Sequence, residues 1–147
     1  MVSQSDAGRF ITSVGIEGVG KSTNVNFIAD YFRSRGAVVH VTREPGGTEI
    51  SERIRNLILE TPGDGLSDLG ELLLMFAARA QQVPPVILPA LQSGTWVLCD
   101  RFTDATYAYQ RGGRGVNPAL VRQLEQLVQN DLRPDFTVLL DAPVEIG

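Results

Sequence analysis

The hydrophobic pattern of this chain switches repeatedly between short β-branched runs and longer stretches with helical spacing. Residues 9–14 (RFITSV) form a short apolar run bounded by glycine and read as a buried strand. From residue 22 to 35, Val25, Ile28, Ala29 and Phe32 recur at helical spacing, and Gly36 supplies the stop signal. Residues 37–42 (AVVHVT) predict a second strand, followed by a loop in REPGGT. Ile50, Ile54, Leu57 and Ile58 mark a helix that ends before TPGDG. Residues 68–91 predict a long apolar helix capped by Ser67 or Asp68, which Pro84-Pro85 must kink or break. A third strand is expected over 95–100 (TWVLCD), then a flexible loop in RGGRG. Asn117-Pro118 starts a further helix with Leu120, Leu124, Leu127 and Val128 inward, and residues 135–141 (DFTVLLD) predict a fourth strand.

Strands alternating with helices imply parallel pairing and right-handed crossovers, hence an α/β sandwich. The length of 147 residues predicts one domain, and 43% apolar with 20% charged residues is ordinary for a globular chain with a real core. The net charge of -4 argues against broad nucleic-acid binding, while leaving room for a local cationic pocket that takes a small anion. Cys99 is the single cysteine, so a disulfide framework is excluded and a buried thiol in a reducing compartment is expected. The polar start MVSQSDAG lacks the apolar segment of a secretory signal, and no apolar run approaches a membrane span, so the expected location is cytoplasmic. The last residues, PVEIG, fall where another helix would begin, which reads as a truncated chain.

The densest chemistry lies in residues 14–23, VGIEGVGKST. Gly15, Gly20, Lys21 and Ser22 match G-x-x-x-x-G-K-[ST] between a predicted strand and a predicted helix, the context this phosphate-binding loop requires. Polyphosphate oxygens need several backbone N–H donors converging on one point, and glycines leave that approach open. The helix start adds unpaired N–H groups and a positive dipole end. Lys21 would bridge β- and γ-phosphate oxygens, and the Ser22 hydroxyl would bind Mg²⁺. The phosphate-binding set is therefore Gly15, Ile16, Glu17, Gly18, Val19, Gly20, Lys21, Ser22 and Thr23. A second anion is implied by Arg43, Arg55, Arg79, Arg101, Arg111 and Arg114, read as in or beside loops of an acidic chain. Solvated surface charge is the competing reading for each, least so for Arg101, which follows Asp100 at the end of a strand where open α/β sheets bind ligands.

GIEGVGKST, TREPGGT, LLLMFAARAQ, DRFTDATYAYQ and GGRG follow one another in the order and spacing of bacterial thymidylate kinases, which the chain resembles from about residue 9 to its end. The resemblance implies a P-loop kinase-type three-layer sandwich with a mainly parallel sheet, here a single domain over residues 1–147 that is incomplete at its C-terminus. It implies transfer of the γ-phosphoryl of ATP to dTMP, giving dTDP and ADP, with Mg²⁺, and a cytoplasmic homodimer. By the same resemblance Asp100 lies near Mg²⁺, and Arg101 clamps phosphates with a planar fork that suits bidentate work. Lys21, Arg101, Glu17 and Arg43 are the implied catalytic residues, and Arg43 and Arg55 face the dTMP phosphate. Arg79 matches the arginine that hydrogen-bonds the base, with either Met75 or Phe76 covering the ring. Thr106 and Gln110 match positions at the pyrimidine edge, and Tyr109 an aromatic site under the sugar. Glu44-Pro45 corresponds to a turn with a cis proline.

Two departures from the pattern stand out. Arg111 replaces a usual glycine, and Gly18 occupies the place where one branch of the family carries a basic residue. The other branch supplies arginines from a lid after the fourth strand, and the chain stops before such a lid. The expectation is weak or absent activity for these 147 residues, with a nucleotide-binding fragment impaired in catalysis as the alternative, and a kinase for another monophosphate as a third reading.

Overall fold

The computed structural model describes residues 7–15, 21–61, 65–102 and 117–140. Four parallel strands, β1 (Phe10–Gly15), β2 (Val39–Arg43), β3 (Trp96–Asp100) and β4 (Phe136–Leu140), form one sheet in the order β2-β3-β1-β4. Each is a short run rich in β-branched and aromatic residues, as a doubly covered parallel sheet requires. The register sets Phe10 opposite Val97 and Ser13 opposite Asp100 on one side of β1, and Ile11 opposite Phe136 on the other. Arg43 at the end of β2 lies opposite Asp100.

Side chains alternate across this sheet, and each face has its own core. On one face Ile11, Leu98 and Val39 pack against Val25 and Ala29 of α1 (Lys21–Ser34). On the other, Phe10, Val97 and Cys99 pack against Phe102, Val83 and Ile87. The three-layer arrangement expected from the alternation of elements is therefore present among the described residues.

The predicted long helix is three pieces. Helix α3 (Asp68–Ala80) runs into a π-helical turn at Val83–Ile87 and then α4 (Leu88–Gln92). Pro84 and Pro85 lack the N–H groups that an α-helical ladder needs, which accounts for the break. By length and mean hydropathy (1.2) the stretch Asp68–Gln92 could cross a membrane, contrary to the expectation that no run approaches a span. In the structure Leu72, Phe76, Val83 and Ile87 of this stretch fill the domain core, and buried Arg79 lies midway along it.

The helix starts follow their caps. Thr48 caps α2 (Glu49–Glu60) by accepting from the Ser51 N–H, Ser67 caps α3 through Gly70 N, and Asn117 caps α5 (Pro118–Gln129) through Ala119 N. Helix α5 turns less apolar surface inward than its leucines suggest. Leu127 is 78% exposed, while Val121, Glu125 and Gln129 are buried. The face is set by Val121 packing on Leu72 and Phe76 of α3, with Leu120, Leu124 and Val128 at its edges. The register that seats Val121 carries Glu125 and Gln129 inward at four-residue steps, and Leu127 lies off that stripe.

The α3–α5 seam supplies a test of this packing. Leu72 is fully buried between Phe76 and Val121. Leu72→Ala should lower unfolding free energy by about 3 kcal/mol, as cavity-forming core truncations do, read as a reduced urea midpoint with an unchanged slope.

Candidate functional site

The site follows from the order of strands. The connection leaving β1 crosses to β2 on one side, and the connection leaving β3 crosses over to β4 on the other. The two paths leave the adjacent strands β1 and β3 in opposite directions, and an open parallel sheet forms its ligand crevice beyond the C-terminal ends of such a pair. Gly15 ends β1 and the backbone of Lys21 begins α1, so residues 16–20 connect a strand to a helix start at that crevice. Those five residues, and the side chains of Lys21, Ser22 and Thr23, lie outside the described residues. So do Thr106, Tyr109, Gln110, Arg111 and Arg114.

Asp100 and Arg101 close the other side. The Ser13 hydroxyl donates to Asp100 Oδ1 at 3.3 Å, and the Arg101 N–H donates to the Ser13 carbonyl at 2.8 Å. Arg101 takes a positive φ of 72°, uncommon for a residue with a side chain. The chain thus leaves the sheet at Arg101 through a turn of its backbone, with the carboxylate of Asp100 held beside β1.

Arg43, expected in a loop, is the last residue of β2, and Arg55 and Arg79 lie within α2 and α3. The strand boundary lies one residue later than the apolar run implies, because β2 pairs with β3 as far as Asp100. Arg43, Asp100, Val41, His40, Thr42, Gly47 and Glu52, with Val25 and Asn26 of α1, line a cleft of about 370 Å³. Arg43 is bound by Glu52, with Nη2–Oε2 at 2.8 Å and Nε–Oε1 at 3.3 Å. Glu52 Oε1 also accepts from the Gly47 N–H at 2.9 Å. These hydrogen bonds, that to Arg43 foremost, hold the Glu52 carboxyl below the usual carboxylate range. Arg55 donates to the Pro45 carbonyl at 3.2 Å, and burial, followed by the nearby charge of Arg43, pushes its guanidinium downward. Arg101 and Asp100 also act on it electrostatically. Among the described residues, the guanidinium groups of Arg43, Arg55 and Arg101 therefore lie near one another with the carboxylates of Glu52 and Asp100.

The opposite face of the same segment carries a different arginine. Arg79 and Glu44 are 2% and 4% exposed. Arg79 Nε lies 3.0 and 2.8 Å from the two Glu44 oxygens, and Nη2 lies 2.7 Å from Oε2. Nη1 donates to Gln129 Oε1 at 3.2 Å. The guanidinium carbon sits 4.7 Å from the Phe76 ring centre and 4.8 Å from that of Phe102. Burial pushes the Glu44 carboxyl upward, and the charge and hydrogen bonds of Arg79 pull against it. Phe76 is thus a core residue stacked on Arg79, and Met75 beside it is half-buried. The Glu44-Pro45 bond is cis, as expected.

Sequence reasoning missed four contributors: Glu52, Glu44 as an ion-pair partner, Gln82 and Gln129. Gln82 is fully buried, shares a hydrogen bond with the Thr42 hydroxyl and donates to the Arg43 carbonyl at 3.3 Å. Gly47 has φ +92°, a backbone state that favours glycine, and a Cβ there would press on Gln82 Oε1 and Thr42 Oγ1. The trace in the sequence was the polar set Arg79, Gln81 and Gln82 directly after the apolar run LLLMFAA.

A family model for thymidylate kinase matches residues 15–147. The chain belongs to the thymidylate kinase family. It is 59% identical over 140 residues to the thymidylate kinase of Pseudomonas syringae pv. tomato, covering 95% of this chain and 67% of that protein. It is likewise 59% identical over 139 residues to that of Chromohalobacter salexigens, covering 94% and 66%. Among solved structures, the crystal structure of thymidylate kinase from Ehrlichia chaffeensis superposes with a TM-score of 0.84 at 41% identity, covering 92% of this chain and 72% of that one. The chain thus spans about two thirds of the length of the curated relatives it matches. The expected family and fold are borne out.

The Arg43–Glu52 pair makes a pH dependence testable. Its folded carboxyl titrates below the unfolded one, so the pair's stabilisation is present above the ordinary glutamate range and is lost as pH falls through the lowered folded value. Both partners are partly exposed, so the effect is at most about 1 kcal/mol. The stability difference between wild type and Glu52→Gln, measured by thermal melts from neutral to acid pH, should shrink as the pH drops.

Proposed function

We propose that this chain binds ATP and dTMP on either side of the β1–β3 crevice and carries the residues that transfer the γ-phosphoryl group of ATP to dTMP, giving dTDP. The observation that carries this reading is the corner where Arg43, Arg55 and Arg101 gather around Asp100, next to the start of α1. A strand end, a helix start and three arginines meet there among the described residues, which suits two phosphate-bearing ligands held in line.

In this reading the ATP polyphosphate lies along Gly15, Ile16, Glu17, Gly18, Val19, Gly20, Lys21, Ser22 and Thr23, with Lys21 on the transferred group. Arg43 and Arg55 hold the dTMP phosphate, and Arg101 bridges towards the ATP side. Arg43 is preset by Glu52, so a phosphate meets an oriented fork. Asp100 offers one hard oxygen donor beside β1, which fits Mg²⁺, an ion that takes one or two protein carboxylates together with substrate phosphates. Asp100 and the Ser22 hydroxyl would hold it. When bound, Mg²⁺ neutralises charge on the β- and γ-phosphates. At the base end Met75 covers the thymine ring while Arg79, Thr106 and Gln110 read its edge, and Tyr109 lies under the sugar. Phe76 serves the core there, since it packs on Leu72 and Val121. Glu17 acts near the acceptor.

A homodimer and a cytoplasmic setting complete the reading. Ile50, Leu57 and Leu59 of α2, with Leu69 and Leu73 of α3, are 46–63% exposed, an apolar surface that supports pairing with a second copy. Cys99 is a free, buried thiol that suits a reducing compartment.

Titration calorimetry with dTMP and with ATP tests the assignment. Arg43→Ala and Arg55→Ala should each weaken dTMP about 10- to 100-fold, the loss of a charged phosphate contact. ATP affinity should stay within about twofold in both variants. Equal loss for both nucleotides would refute the division of the site.

A further inference from the structure

Gln82 sits where α3, the π-helical turn and the end of β2 meet, and none of the chemistry proposed above uses it. It is fully buried. Its main chain is tied on both sides. The N–H donates to the Arg79 carbonyl at 3.0 Å, and the carbonyl accepts from the N–H groups of Val86 and Ile87, each at 3.0 Å. From that fixed backbone the side chain reaches the end of β2. The Thr42 hydroxyl donates to Gln82 Oε1, which leaves Nε2 to donate to the Arg43 carbonyl at 3.3 Å.

The Arg43 carbonyl needs this donor for a topological reason. Strand β2 lies at an edge of the sheet. The Val38 carbonyl accepts from Trp96 at 2.8 Å and the Glu44 N–H donates to Asp100 at 3.0 Å, so both groups face β3. Main-chain groups alternate in direction along a strand, which turns the carbonyls of Val39 and Arg43 to the free edge. Both take side-chain donors there: Val39 from Arg33 Nη2 at 2.8 Å, and Arg43 from Gln82. Just beyond, Gly47 lies so near that a Cβ would press on Gln82 Oε1, and its N–H donates to Glu52. The turn from Thr42 to Gly47 is thus held twice, by Gln82 through the main chain and by Glu52 through the Arg43 guanidinium.

We infer that Gln82 is a positioning residue: it fixes the main chain from which Arg43 projects, and so fixes where the Arg43 guanidinium meets the phosphate of the acceptor nucleotide. This rests on the reading in which Arg43 holds the dTMP phosphate. Arg43 and Glu52 are both partly exposed, so their pair sets the direction of the fork, while the buried amide sets its origin.

Gln82→Met keeps the volume and removes both hydrogen bonds, and Thr42→Val removes the hydroxyl that decides which way the amide faces. Dissociation constants for dTMP, thymidine and ATP are measured by NMR titration on the full 147-residue chain, with circular dichroism melts as the check on folding. Thymidine lacks the phosphate, so the ratio of the thymidine constant to the dTMP constant isolates the phosphate contact. Gln82→Met should lower that ratio about five- to tenfold and Thr42→Val about three- to fivefold, while thymidine and ATP affinities stay within about twofold. In an Arg43→Ala background, Gln82→Met should change the ratio by less than about twofold, since the two residues act through one contact. Should Gln82→Met not fold, Thr42→Val is read by the same criteria, alone and with Arg43→Ala. An unchanged ratio, a parallel loss of dTMP and thymidine such as loosened packing produces, or an equal drop with and without Arg43 would overturn the inference. If Arg43→Ala itself leaves the ratio unchanged, the phosphate reading of Arg43 fails, and this inference with it.

Discussion

The parallel pairing of β1 with β3 is the constraint on which the rest of this structure depends. It sets Ser13 beside Asp100 and draws the Arg101 N–H onto the Ser13 carbonyl, so two chain segments more than 80 residues apart leave the sheet at one place. The same pairing, extended through β2, brings Arg43 to the level of Asp100. A slip of one residue in this register would send each side chain to the opposite face and separate the carboxylate from the arginines. Burial of Val97, Leu98 and Cys99, each at most 1% exposed, makes such a slip costly on both faces at once.

Much of this could be read before any coordinates were known, for a physical reason. The strands of a doubly covered sheet are continuous apolar runs, so RFITSV and TWVLCD declare themselves, and the helix starts at Ser67 and Asn117 rest on local hydrogen bonds encoded within three residues. The expectation at Gly15 and Lys21 is equally local, because a loop that wraps phosphate needs its glycines at fixed offsets, and residues 16–20 lie outside the described residues. What escaped is non-local. Glu44 and Arg79 are 35 residues apart, and Arg79 and Gln129 are 50 apart. No pattern in one sequence says which buried carboxylate a given arginine will meet.

The helix α5 error has a similar origin. Leucines at helical spacing predicted an inward face that included Leu127, but the face is chosen by what it meets on α3. Once Val121 seats against Leu72 and Phe76, Gln129 is carried inward to Arg79, and Leu127 is left outside. Helix orientation here follows from one packed residue and one polar partner, and counting apolar positions weighs neither.

Arg101 shows what the site asks of the fold. Its positive φ is a backbone state that glycine adopts without penalty and an arginine does not. Stability engineering that relaxes such positions by installing glycine would here delete a guanidinium from the corner shared with Arg43 and Arg55. In the proposed reading, a more comfortable main chain at this position and a guanidinium for the phosphates exclude one another.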